Sequence, residues 1–407
     1  MKKKKKKAKK TVPDKYAKPE KNAAYEIERP LYKEGPNWNY KEYRDLMLSQ
    51  EKAEKLPDLH FFNGEEAKAR KDMIVMSSYP RSGNTLLRAT LEKIMGIATG
   101  SDCNIGLKLN AELMTLGLAG EGLADRRVWV VKTHYPERYG AAKFGAERCI
   151  MLVRSPLDCM TSLFHMVASG THDCSISDED FVKFKKQWDE WIDMEITVWK
   201  DFHKFWLNAA IPVHIIRYED ICERPIEALG DLMKFVMCVP TIEGTKIESY
   251  IKLASLEKRP EVYKPRSGTV NGNMRFFDEE KLTTISLGAG KEMKNLGYYH
   301  LVSDYPKAEG IPEFINKFNQ KTLDRCVVEH GKRRIDDKVA VHAKINFPDL
   351  LLRKKSKLWP EGRLSMKFKH VMRHNVTVIG KSQFSKPESE DNVFTANEEE
   401  NYKETAD

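Results

Sequence analysis

Three groups of residues in this chain have the types and spacing that chemistry on an anion requires. The first is Tyr79-Pro80-Arg81-Ser82-Gly83-Asn84-Thr85, a turn-rich polar loop. It lies between the apolar run Met73 to Met76 and a segment in which Leu87, Leu91, Ile94 and Met95 recur at helical spacing until Gly96. Strand, loop and helix in that order turn successive backbone N–H groups and a helix N-terminus toward one point, which favours phosphate or sulfate. Arg81 is the loop's one positive charge. The second group, Lys132-Thr133-His134, follows the buried strand expected at Val128 to Val131. Lys132 and His134 alternate there and can share one side of the strand end. The third is Arg154, delivered by the apolar run Cys149 to Val153, with Ser162 two turns along a helix that Ser155 is placed to cap and Pro156 to open.

Buried strands that end in polar residues are the elements needed to hold these groups. In open α/β sheets, ligands bind outside the carboxyl ends of such strands. A fourth strand, Val213 to Ile216, runs into Arg217-Tyr218-Glu219-Asp220 and a helix near Pro225 to Val236. The pattern from Phe181 to Trp206 is helical and its aromatics read as core packing. Ile105 to Ala124 reads as helix and loop, and Tyr40 to Lys55 as the one helix of a proline-broken N-terminal arm, whose Trp38, Tyr40 and Tyr43 pack it against the body. No internal repeat is present. A kinase-type P-loop would read G-x-x-x-x-G-K-[ST]. Aligned on Gly83 and Thr85, this chain has Ser78 for the first glycine and Asn84 for the lysine, with the charge moved back to Arg81.

The Tyr79 to Thr85 loop resembles the 5′-phosphosulfate loop of sulfotransferases, which usually reads Y-P-K-S-G-T-T and binds the activated sulfate donor PAPS. Lys132-Thr133-His134 is similar to that family's K-T-H, in which the His is the catalytic base and the Lys contacts the sulfuryl group. Val153 to Phe164 resembles its 3′-phosphate motif, and the resemblance implies that Arg154 and Ser162 hold the extra phosphate. Tyr218, in Y-E-D, matches a residue that contacts adenosine. Arg266-Ser267-Gly268 to Gly272 resembles the late R-K-G-x-x-G loop, with Ser267 for the lysine and one extra residue. Arg81 stands for the usual loop lysine, as a planar fork where the family has a point charge. Leu86 stands for a Trp that often stacks on adenine. The G-N-T form with Ile97-Ala98-Thr99-Gly100-Ser101 looks like the sulfotransferase domains attached to WSC modules, although the chain holds no compact cysteine-rich segment of that kind.

The resemblance implies an α/β fold with a central parallel sheet and helices on both faces, like the P-loop nucleoside kinases. It implies a PAPS-dependent sulfotransferase acting on a hydroxyl or amine, with His134, Lys132 and Arg81 catalytic. Arg81, Ser82, Gly83, Asn84, Thr85, Arg154, Ser162, Tyr218, Arg266 and Gly268 would bind the donor, with no metal. Two other readings stay open: a P-loop kinase using Mg-ATP with Thr85 on the metal, and a non-enzymatic basic adaptor for nucleic acid or membrane.

Composition bounds the rest. With 407 residues, 41% of them hydrophobic, the chain can bury a substantial core. Its formal charge of +9 is uneven: eight lysines fall in Met1 to Lys10, and eight acidic residues against one lysine in Pro387 to Asp407. Such blocks repel themselves and read as tails. The lysine run is of a kind that touches anionic surfaces weakly or stays solvated. The expected division is 1–70 basic arm, 71–305 sulfotransferase-like domain, 306–386 basic extension and 387–407 acidic tail. No apolar run approaches the roughly 18 residues of a membrane span, and no apolar core follows the first lysines to make a signal peptide. Seven scattered cysteines without a C-x-x-C pair fit reduced thiols, so a soluble, cytoplasmic setting is expected. His165, His172 and Cys174 lack zinc-like spacing, and no metal site is expected from them.

Overall fold

In a computed structural model of the chain, the structure describes residues 40–62 and 72–302, apart from 107, 139, 143, 172–173, 210 and 258–271, together with 339–341 and 378–379. Five strands form a sheet: β1 (Ile74–Ser78), β2 (Gly100–Ser101), β3 (Val130–Thr133), β5 (Arg148–Val153) and β7 (Val213–Arg217). Their order is β2-β3-β1-β5-β7, and every pairing is parallel. Parallel neighbours need crossovers, and the helices that make them cover both faces.

The side-chain alternation of the strands divides the core accordingly. Ile74, Met76, Val130, Ile150, Leu152 and Ile216 point to one face. There they meet α2 (Asn84–Met95), α8 (Pro225–Met237), α9 (Lys246–Leu256) and, from α1 (Tyr40–Met47), Tyr43 and Met47. Val75, Val131, Cys149, Met151, Val153, Val213 and Ile215 point to the other. They pack on α4 (Pro156–Ser169), α6 (Lys185–Leu207) and α10 (Glu279–Leu296). Each fully buried large apolar side chain contributes about 1.5–3 kcal/mol, so both faces hold the sheet against its helices. The expected α/β architecture is therefore the observed one.

Several boundaries differ from expectation. The two-residue β2 sits in Ile97 to Ser101, which carries no apolar run. A side-chain carbon at Gly100 would lie 2.0 Å from the Leu123 carbonyl oxygen, so close backbone approach sets this edge. The Phe181 to Trp206 pattern is two helices, α5 (Asp178–Lys183) and α6, meeting at Phe184. Helix α1 stops at Met47, well short of Lys55, while Tyr43 donates to the Met95 carbonyl at 2.8 Å and Tyr40 packs edge-on to Trp129. Within Ile105 to Ala124 the helix is α3 (Lys108–Thr115), and α7 (Tyr218–Glu223) opens directly on the Y-E-D. Short strands β4 (Phe144–Ala146) and β6 (Ser175–Ile176) pair antiparallel with β8 (Val339–Val341) and β9 (Val378–Ile379). Among the described residues no helix is long and apolar enough to cross a membrane. Trp38, the lysine run and the acidic tail lie outside the described residues.

Candidate active site

The carboxyl ends of β1, β3, β5 and β7 bring the three groups to one edge of the sheet. Beyond β1, Tyr79 turns into the core, where its hydroxyl donates to Glu195. The Ser82 N–H donates back to the Tyr79 carbonyl at 3.2 Å, closing the turn. Arg81 (φ 70°) and Gly83 (φ 97°) both take left-handed backbone, which costs a non-glycine residue about 1 kcal/mol or more. At Gly83 a side chain is excluded twice over, because its first carbon would lie 2.4 Å from Tyr218 Cδ2. Gly83 is the N-cap of α2, and Asn84 and Thr85, both half-buried, form its first turn.

Arg154 emerges from β5 between these groups. Its Nη1 donates to the Arg81 carbonyl at 3.0 Å, its guanidinium lies 4.4 Å from the Tyr218 ring centroid, and its Nη2 is 3.7 Å from Asp158. Burial opposes its charge, but Asp158 and Tyr218 outweigh that and the guanidinium pKa rises. Arg81 Nε donates to Ser162 Oγ at 3.1 Å, so Arg81, Arg154, Ser162 and Tyr218 form one cluster. In this structure the Arg81 side chain therefore points to the Ser162 side of the loop.

Four side-chain atoms in this region are buried with no hydrogen-bond partner: Ser78 Oγ, Ser82 Oγ, Ser155 Oγ and Arg154 Nε. Leaving such a group unpaired costs about 1–3 kcal/mol, so four of them in the segments that leave the adjacent strands β1 and β5 are a sign of a ligand with many acceptor oxygens. Ser155 occupies the N-cap of α4 as the sequence suggests, yet makes no side-chain cap bond. Elsewhere Ser177 and Asp278 do cap their helices, accepting from Asp180 N at 3.1 Å and Lys281 N at 2.9 Å. The Ser155 N–H donates instead to Glu219 Oε1 at 3.0 Å, and the other oxygen of Glu219 accepts from Tyr298 at 2.7 Å.

On the β3 side, His134 Nδ1 is 2.7 Å from the Ser78 carbonyl oxygen. A carbonyl only accepts, so Nδ1 carries the proton and Nε2 keeps its lone pair. Burial first, then the charges of Lys132 and Arg138, push the His134 pKa well below its ordinary value, and the ring is neutral. Lys132 is buried, and its Nζ lies 3.1 Å from Cys103 Sγ. Sequence reasoning missed Glu219, Asp158, Asn273 and Cys103. Asp158 was findable, since it stands one helical turn after Arg154. It also accepts from Asn273 N and Nδ2 at 3.3 and 3.0 Å. Arg266 and Gly268 lie outside the described residues.

The family model described as "Sulfotransferase domain" matches residues 71–281. The chain belongs to the sulfotransferase-domain family. Within it, the chain is similar to WSCD family member AAEL009094 of Aedes aegypti, 29% identical over 168 residues, 41% of this chain and 50% of that protein. It is also similar to WSCD family member CG9164 of Drosophila melanogaster, 27% identical over 168 residues, 40% of this chain and 50% of that protein. The chain spans about half the length of these curated relatives. Among solved structures, a crystal structure of mouse sulfotransferase SULT7A1 complexed with PAP is similar at 17% identity and a TM-score of 0.37, covering 58% of this chain and 90% of that one. As a sulfotransferase domain the chain keeps its candidate anion cluster and its candidate base on separate sides of β1. The backbone links them, since His134 hangs from the last carbonyl of β1 and Arg154 from the Arg81 carbonyl of the loop that follows.

Proposed function

We propose that this domain transfers a sulfuryl group from PAPS to a hydroxyl or amine acceptor, with His134 as the general base. The observation that carries the reading is that Ser78 Oγ, Ser82 Oγ, Ser155 Oγ and Arg154 Nε are buried without a hydrogen-bond partner in the segments that leave the neighbouring strands β1 and β5, the same segments that carry the cluster of Arg81, Arg154, Ser162 and Tyr218. These residues fit a donor with two phosphate-bearing ends. Ser82, Gly83, Asn84 and Thr85 would hold the 5′ end at the start of α2. Arg154 and Ser162, with Arg81 beside them, would hold the 3′-phosphate, and Tyr218 would take the adenosine. Bound there, PAPS would supply an electrophilic sulfur and a phosphate leaving group. Nε2 of His134 would take the acceptor's proton as it attacks. The Lys132 ammonium would offset charge developing on sulfuryl and bridging oxygens, with Arg81 contributing from the loop.

The test is calorimetric titration with PAP, ADP and ATP side by side. PAP is expected to bind more tightly than ADP, and Arg154→Ala to remove most of that preference. A charge-assisted contact to a buried phosphate is worth about 1.5–3 kcal/mol. Equal affinity of the unmutated protein for PAP and ADP would overturn the donor assignment, and tight magnesium-dependent ATP binding would favour a kinase.

A further inference from the structure

Lys132 is the one cation in the K-T-H group, and what holds its flexible side chain comes from outside every motif. Asp102, just past β2, is tied to the K-T-H strand end twice and to the loop after it once. Its N–H donates to the Lys132 carbonyl at 3.1 Å, its Oδ2 accepts from Thr133 Oγ1 at 2.6 Å, and its carbonyl accepts from Ala141 N at 2.6 Å, on the loop after His134. That loop closes tightly over it: a side-chain carbon at Gly140 would lie 2.2 Å from Asp102 Oδ2. The clamp fixes the next residue, Cys103, with Sγ 3.1 Å from Lys132 Nζ.

We propose that Asp102 and Cys103 are a positioning pair for the transfer step, in which the Cys103 sulfur accepts a hydrogen bond from Lys132 and aims its ammonium without neutralising it. The inference rests on the sulfotransferase reading above. A carboxylate in that place would form an ion pair and draw off the charge that the sulfuryl oxygens require. A thiol does not, and burial pushes the Cys103 thiol up, so it stays protonated near neutrality. The carboxylate of Glu121, which also feels the Lys132 charge, makes its ion pair with the buried Arg88. The pair holds Lys132, Thr133 and the loop after His134, so its effect is expected on the sulfuryl group and not on the nucleotide.

The experiment uses the full chain and its Cys103→Ser, Cys103→Ala and Cys103→Asp variants. Each is titrated with PAP and with PAPS, and slow PAPS hydrolysis is followed as PAP release, which needs no acceptor. PAP affinity should stay within about twofold throughout. The PAPS-over-PAP affinity ratio and the hydrolysis rate should be near parental in Cys103→Ser, a few-fold lower in Cys103→Ala and about tenfold lower in Cys103→Asp. An unchanged Cys103→Asp, or an unchanged Cys103→Ala should the aspartate variant fail to fold, overturns the proposal. So does a joint fall of PAP affinity and melting temperature in all three, the mark of a merely structural thiol. If the parent itself does not prefer PAP to ADP, the donor reading falls first and this one with it. A parent that prefers PAP, with indifferent variants, sinks this inference alone.

Discussion

The Ser78 carbonyl decides what His134 can do. By accepting from Nδ1 at 2.7 Å it fixes the tautomer in which Nε2 keeps its lone pair and can accept a proton, and it ties the ring to the strand that also launches the candidate anion loop. His134→Ala should leave PAP affinity within about twofold while lowering turnover by roughly 10²–10⁴, because proton transfer matters in the transition state and not in nucleotide binding. A variant turning over near the parental rate would exclude His134 as the base. The pH dependence has a definite sign. Burial, Lys132 and Arg138 depress the His134 pKa, so the ring takes up its proton only below the ordinary histidine range. Activity should therefore hold as pH falls through 6.5, the ordinary value, and decline only at lower pH. An acid limb centred at or above that value would mean that another group titrates.

At the scale of elements, the turn between β1 and α2 depends on a position that accepts no side chain. Gly83→Ala would demand left-handed backbone of an alanine and drive its Cβ into Tyr218, whose ring stacks under Arg154. PAP affinity should fall by about tenfold or more, since strain of about 1–3 kcal/mol lands on the loop itself. Because Tyr218→Ala by itself costs PAP affinity, it is the reference: adding Gly83→Ala to Tyr218→Ala should cost less than adding it to the parent, since the clash is gone and only the backbone strain is left, and an equal cost in both backgrounds would count against the steric argument. The same elements show what the sequence could reveal. Four of the five central strands were legible because a sheet covered on both faces needs continuous apolar runs, and their polar ends marked the candidate site. Gly100–Ser101 was not, since close packing against Leu123 leaves no hydrophobic trace. Nor was Glu219, whose role arises from Ser155 and Tyr298, residues 64 and 79 positions away. The pull of Arg81 toward Ser162 likewise depends on Arg154 gripping the Arg81 carbonyl, a contact across the loop that spacing does not encode.

For the whole molecule, burial encloses two of the described histidines on opposite faces of the sheet. His203, on α6, donates from Nδ1 to the Trp199 carbonyl at 2.7 Å, and His214, on β7, stacks on Phe235 at 5.2 Å on the opposite face. Burial pushes each down to about 4, from an ordinary 6.5. A depressed folded pKa means that the unfolded chain binds the proton first, so the stability these rings allow is full above pH 6.5 and is lost as pH falls toward 4. The loss is on the order of 3 kcal/mol per histidine at the acid end, a large fraction of a typical domain's stability. Glu92, which burial raises to about 7, titrates with the opposite sign, because its protonated form is the one the fold prefers. A comparison that leaves Glu92 in place isolates the histidines. With Glu92 offsetting part of the loss in both proteins, urea midpoints measured from pH 7 to pH 4.5 should fall more in the parent than in His214→Phe, an apolar ring of similar size that cannot take up a proton. Parallel curves for the two proteins across that window would show that His214 does not set the acid limit of this fold.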